Sequence, residues 1–174
     1  MKCRIFLALL TFILFASGLA QAQEEARLRA MAVDAAQSGD MDSAFMHFRS
    51  LITNYPHSRY REKALFAVAE YYFVRADYYD AAPAFMSFVN EYPRAKGTIF
   101  ALAYLLSIAR IQGKESIAQD LEKQIVTSRQ QVFLFKDSKN YTYTSPLCRR
   151  HALVHSIDKL EFYADGTLFA YISY

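Results

Sequence analysis

Apolar residues recur along most of the chain at helical spacing. Ala44, Phe48, Leu51 and Tyr55 follow one another at intervals of 4, 3 and 4, which sets them on one face of an α-helix. A shift of 37 positions lands on Ala81, Phe85, Phe88 and Tyr92, so the same face is written twice. The punctuation repeats with it. Gly39-Asp40 matches Ala76-Asp77 ahead of each helix, Tyr55-Pro56 matches Tyr92-Pro93 behind it, and a further step of 37 reaches Gly113 and Ala118. The pattern predicts a helix that ends in a tight turn near Gly39 or Ala76, then an amphipathic helix that stops at proline, which lacks the N–H and clashes with the preceding turn. Small Ala44 and Ala81 let a paired helix approach, and Phe48 and Phe85 fill the space one turn on. Ser58, two residues beyond Pro56, is placed to cap the next helix. One such pair cannot bury its apolar face alone, so the period predicts helix pairs stacked as a solenoid.

Past about Arg129 the period stops. Residues 131–136 (QVFLFK) form a short β-type run, and residues 140–144 (NYTYT) alternate. Residues 158–174 predict a hairpin turning at Asp165-Gly166, with Leu160 and Phe162 on one face of the first strand and Leu168, Ala170 and Ile172 on one face of the second. An isolated hairpin is marginal in water, so it is expected to pack on the last helices or pair with another edge. Residues 146–157 are ambiguous: Ser145-Pro146 can open a short helix through Leu153 and Ile157, or residues 151–157 (HALVHSI) form a strand leading into the hairpin, and the strand is preferred. The fold class is therefore mainly α, a helical-hairpin solenoid with a small β element. Its divisions are a leader over 1–22, helical repeats over 23–129 and a β-rich tail over 130–174.

The leader rests on Lys2 and Arg4 ahead of an apolar or hydroxyl run from Ile5 to Ala16, followed by small residues ending in Ala20-Gln21-Ala22. This is the layout of a secretory signal cut near Ala22, and the run is short of the roughly 20 apolar residues a membrane span needs. The protein is expected in the periplasm or secreted. A lipid-bearing cysteine would have to stand at the cut, whereas Cys3 precedes the apolar run, so a mature protein without a lipid anchor is expected. The formal net charge of +3 falls by two when Lys2 and Arg4 are removed. What remains gives no electrostatic footprint for nucleic acid. Cys148 is then the one cysteine left and has no intramolecular disulfide partner.

On these residues the chain resembles the tetratricopeptide repeat family. The second repeat places Leu65, Val68, Ala69, Tyr72, Ala76-Asp77-Tyr78, Ala81, Phe85 and Pro93 on the family's pattern. The first places Leu28, Met31, Ala32, Gly39-Asp40-Met41, Ala44, Phe48 and Pro56, with Ala35 where a tyrosine is expected. The third offers Leu102, Leu105, Gly113, Ala118 and Ile125 and departs at Leu106, Glu122 and Gln130, as a terminal repeat does. The period exceeds the usual one of about 34, with the extra residues after the proline. In this the chain is similar to the periplasmic branch that holds the outer-membrane assembly lipoproteins (BamD type) and the Tol-Pal coordinators, though without their lipid-bearing cysteine.

The resemblance implies that the first helix of each pair lines a concave groove, and that Arg29, Lys63, Phe66, Glu70, Phe73, Ser107 and Arg110 hold the protein-binding positions. Exposed aromatics flanked by cations would suit a peptide. Alternatively the tail, or residues 23–27, fills that groove. The residues that grip a C-terminal carboxylate in chaperone-binding relatives are replaced by Arg29 and Val33, which disfavours that ligand. The function expected is a non-enzymatic adaptor of the bacterial envelope that binds a protein or peptide, with no cofactor and no metal. Two other classes stay open: a metal- or thiol-dependent enzyme centred on Cys148, His151 and His155, whose spacing would share one helical face, and a structural subunit that assembles through the hairpin. Arg149 and Arg150 would lower the thiol pKa, but no fourth metal ligand is evident.

Overall fold

A computed structural model describes residues 2–133, 141–148, 150–154 and 159–171. Among them lie six helices: α1 (Lys2–Ser38), α2 (Met41–Asn54), α3 (Arg61–Val74), α4 (Tyr78–Glu91), α5 (Thr98–Ile111) and α6 (Glu115–Phe133). Four short strands follow: β1 (Tyr141–Tyr143), β2 (His151–Val154), β3 (Lys159–Phe162) and β4 (Leu168–Tyr171). Each helix packs on the next, giving the pairs α1–α2, α3–α4 and α5–α6 that the period predicts.

The turn within each pair is made three times by the same device. Gly39, Ala76 and Gly113 have φ of 84°, 57° and 67°, so each closes its helix in the left-handed conformation. The N–H of each bonds the carbonyl three residues back, and the N–H of the following residue bonds the carbonyl five back, which satisfies carbonyls that the helix end leaves free. Asp40 and Asp77 then cap the second helix, their carboxylates accepting from the Ser43 and Asp80 N–H groups. At the far end Tyr55 and Tyr92 leave the helical region, with φ, ψ near −131°, 67° and −127°, 58°. A residue before proline is pushed out of that region by the ring's Cδ, which is how the Tyr-Pro pair closes each repeat. Ser58 does not cap α3: its hydroxyl accepts from the Tyr60 N–H at 3.2 Å and its carbonyl from Arg61. The joint makes a full extra turn there, and Tyr60 stands at the N-cap position without a side-chain capping bond.

The four strands form one sheet in the order β1-β2-β4-β3. The β1–β2 and β3–β4 pairs are antiparallel and β2–β4 is parallel. The predicted hairpin is β3–β4, with Leu160 opposite Ala170 and Phe162 opposite Leu168. The strand reading holds at His151–Val154; residues 155–157 and Ile172 lie outside the described residues. The predicted β-type run at 131–136 is overturned in its first half, because α6 continues to Phe133, while residues 134–136 lie outside the described residues. A short apolar run does not distinguish strand from helix by periodicity.

Two clusters form the core. One joins α1, α2 and α3 through Ala32, Ala44, Phe48, Leu51, Ala64 and Ala67, with Leu147 and Cys148 of the tail. The other joins α3 to α6 with the sheet, through residues such as Phe66, Phe85, Phe88, Tyr104, Tyr143 and Leu168. Nearly every residue of α5 is buried, because helices cover one side of it and the sheet covers another.

Candidate interaction groove

Three residues expected to line the groove, Phe66, Glu70 and Phe73, stand at successive turns of α3, and each meets a side chain of the tail. Phe66 is fully buried; its ring meets Tyr143 edge-on at 4.9 Å and Phe88 edge-on at 5.2 Å. Phe73, half-buried, stacks on Phe162 at 5.0 Å. Between them Glu70 is also fully buried, and a carboxylate in that position requires donors on both oxygens. It receives them. Tyr104 of α5 donates to Oε1 at 3.1 Å, His151 of β2 meets the same oxygen through Nε2, and the Ser145 hydroxyl bonds Oε2. Ser145 also accepts from the Leu147 and Cys148 N–H groups, both at 3.1 Å. One carboxylate thus fastens α3 to α5, to strand β2 and to the segment between β1 and β2. Of the two alternatives the sequence left open for these positions, the tail occupies them.

The electrostatics follow from burial. Removal from water opposes charge on the His151 ring, but the Glu70 carboxylate and its hydrogen bond outweigh that and raise the pKa above the ordinary histidine value. The ring and carboxylate form a buried ion pair. Burial, followed by the charge of Glu70, holds the Tyr104 hydroxyl well above its usual range. The Cys148 thiol is likewise raised, first by burial and then by Glu70 and Asp165. It is therefore a protonated thiol against apolar neighbours, opposite to the lowered pKa a nucleophilic cysteine needs. His151 is committed to Glu70, and His155 lies outside the described residues. Among the described residues no three of His, Cys, Asp and Glu gather in a metal-binding group.

The other expected positions lie at the margins of the tail. Arg29 on α1 is exposed, with its guanidinium 5.3 Å from the centre of the Tyr60 ring, and Lys63 at the start of α3 is exposed. At the far end of the helical stack Ser107 is half-buried, and Arg110 donates to Glu122 at 2.5 Å. Glu122 occupies a position where the repeat pattern expects an aromatic residue, and the ion pair is what stands there instead. Between α1, α2, α3 and the tail segments 144–148 and 164–166 lies an open pocket of about 880 Å³, with Arg29 and Lys63 among its lining residues.

Two glycines fit the tail to the helices. A Cβ on Gly97, at the start of α5, would lie 3.1 to 3.2 Å from ring carbons of Phe88, Phe66 and Tyr143. Gly97 falls 37 positions after Tyr60, so where the first joint carries a large ring, the second leaves room for the tail's. Gly166, at φ 78°, carries its hairpin loop over Cys148, and a Cβ there would meet the cysteine Cβ and Sγ at 2.9 Å. Sequence reasoning missed Gly97, Tyr104 and Ser145. A glycine breaking the repeat alignment marked the first, whereas no local pattern marked the other two.

No curated protein matches the chain. Among the described residues no helix is long and apolar enough to cross a membrane. A family model for YfiO, an outer membrane lipoprotein, matches residues 10–125, from within α1 into α6. With its paired helices repeated at a fixed interval, this chain belongs to the YfiO outer membrane lipoprotein family.

Proposed function

We propose that the protein is a non-enzymatic adaptor of the bacterial envelope. In this reading it is exported, cut near Ala22, and binds a partner protein at the helical face margins that the tail leaves open. Arg29 and Lys63 meet the partner at one end, and Ser107 and Arg110 at the other. Phe66, Glu70 and Phe73 support the tail that stands between these ends. The observation that carries the reading is membership of an outer-membrane protein family built from helical repeats. Rigid helices supply a preorganised surface, so binding is spared the entropy of ordering loops. The buried, protonated Cys148 and the committed His151 argue in the same direction, since neither is free for chemistry.

Affinity capture from solubilised envelope tests this. The native protein is expected to retain an envelope protein that an Arg29→Ala/Lys63→Ala/Arg110→Ala variant, with unchanged circular dichroism, releases. Retention of no envelope protein by the native chain would end the adaptor reading, and equal retention by both would remove these residues from the interface.

A further inference from the structure

The 880 Å³ pocket has the size of ligand sites, about 300–1,000 Å³, and its two walls have different origins. One wall is α1, α2 and α3, within the family match. The other is residues 144–148 and 164–166, beyond residue 125 where the match ends. The pocket is therefore a feature that this chain's tail adds to the repeats.

Its chemistry is one-sided. Val33, Met41 and Val74 supply accessible apolar lining, while Arg29 and Lys63 carry the positive charge. Neither cation forms an ion pair among the described residues, and the guanidinium of Arg29 is held over the Tyr60 ring. Asp165 is the acid of the lining, and its Oδ1 already accepts from the Thr167 N–H at 3.0 Å. A cation braced on an aromatic face, beside apolar surface, selects a ligand that brings a carboxylate and an apolar group together.

We propose that this pocket takes a short acidic segment of the partner protein, seating an apolar side chain against Val33 and Val74 and bringing carboxylates to Arg29 and Lys63. The proposal rests on the adaptor reading and adds the chemistry of the ligand to it.

The test is selection from a random heptapeptide library, displayed internally so that no free terminus contributes, against the full-length protein. Enrichment of Asp and Glu beside Leu, Ile or Phe is expected. The best sequence should bind about tenfold more weakly, or worse, to an Arg29→Glu/Lys63→Glu variant, and should weaken as salt is raised. Should that variant lose helicity, Lys63→Ala with the salt series on the native protein takes its place. Failure to select any sequence, selection without acidic enrichment, or binding indifferent to both substitutions would overturn the proposal. An envelope partner held equally by native and charge-reversed protein would overturn the pocket while leaving the adaptor reading intact.

Discussion

Glu70 is a charge placed inside a run that otherwise has every reason to be apolar, Ala64 to Val74. Its surroundings decide the consequence of changing it. His151→Leu leaves a buried carboxylate with only hydroxyl partners and is expected to destabilise the fold by about 3–5 kcal/mol. The double substitution Glu70→Leu/His151→Leu removes both charges and should be milder than the single one, which a denaturant-unfolding cycle measures directly. The pH dependence has a definite sign. Because the folded pKa of His151 is raised, its contribution is fully present below the ordinary value of about 6.5 and is lost as pH rises through the raised value. Denaturation midpoints of the native protein should therefore fall on the alkaline side relative to those of the double variant. The sequence displays Glu70 plainly but not its partner, since the contact spans 81 positions and no periodicity links them.

At the scale of elements, the joints were the most legible part of the chain. Gly39, Asp40, Tyr55 and Pro56 act through their own backbone preferences, so a local reading finds them. Ala76 is the exception that proves costly, being the one residue other than glycine with positive φ among the described residues. An alanine in that conformation costs roughly 1–2 kcal/mol. Ala76→Gly would relieve this while loosening the unfolded chain by a few tenths to about 1 kcal/mol. A net gain of about 0.5 kcal/mol or more in unfolding free energy is expected, and a loss would mean the strain is absent. The same locality explains what was misread. Ser58 has the right side chain for a cap but sits two residues early, and the apolar residues that end α6 carry no signal separating helix from strand.

At the scale of the molecule, the helical repeats followed from the period, whereas the docking of the tail did not, because it depends on complementary shapes rather than spacing. Gly97 shows how close that fit is. Gly97→Ala would press a methyl among three rings and is expected to destabilise by about 1–3 kcal/mol. If the fit is as described, hydrogen exchange should quicken in β1 and β2 more than in α1 and α2. The sheet's order carries a further meaning in time. Every helix pair closes through neighbours in sequence, but β2 lies beside β4 and reaches back to α3. Local contacts form quickly and distant ones slowly, and a chain is made from its N-terminus onward. The contacts that Phe66, Glu70 and Phe73 make with residues 143–162 are thus the ones expected to close last.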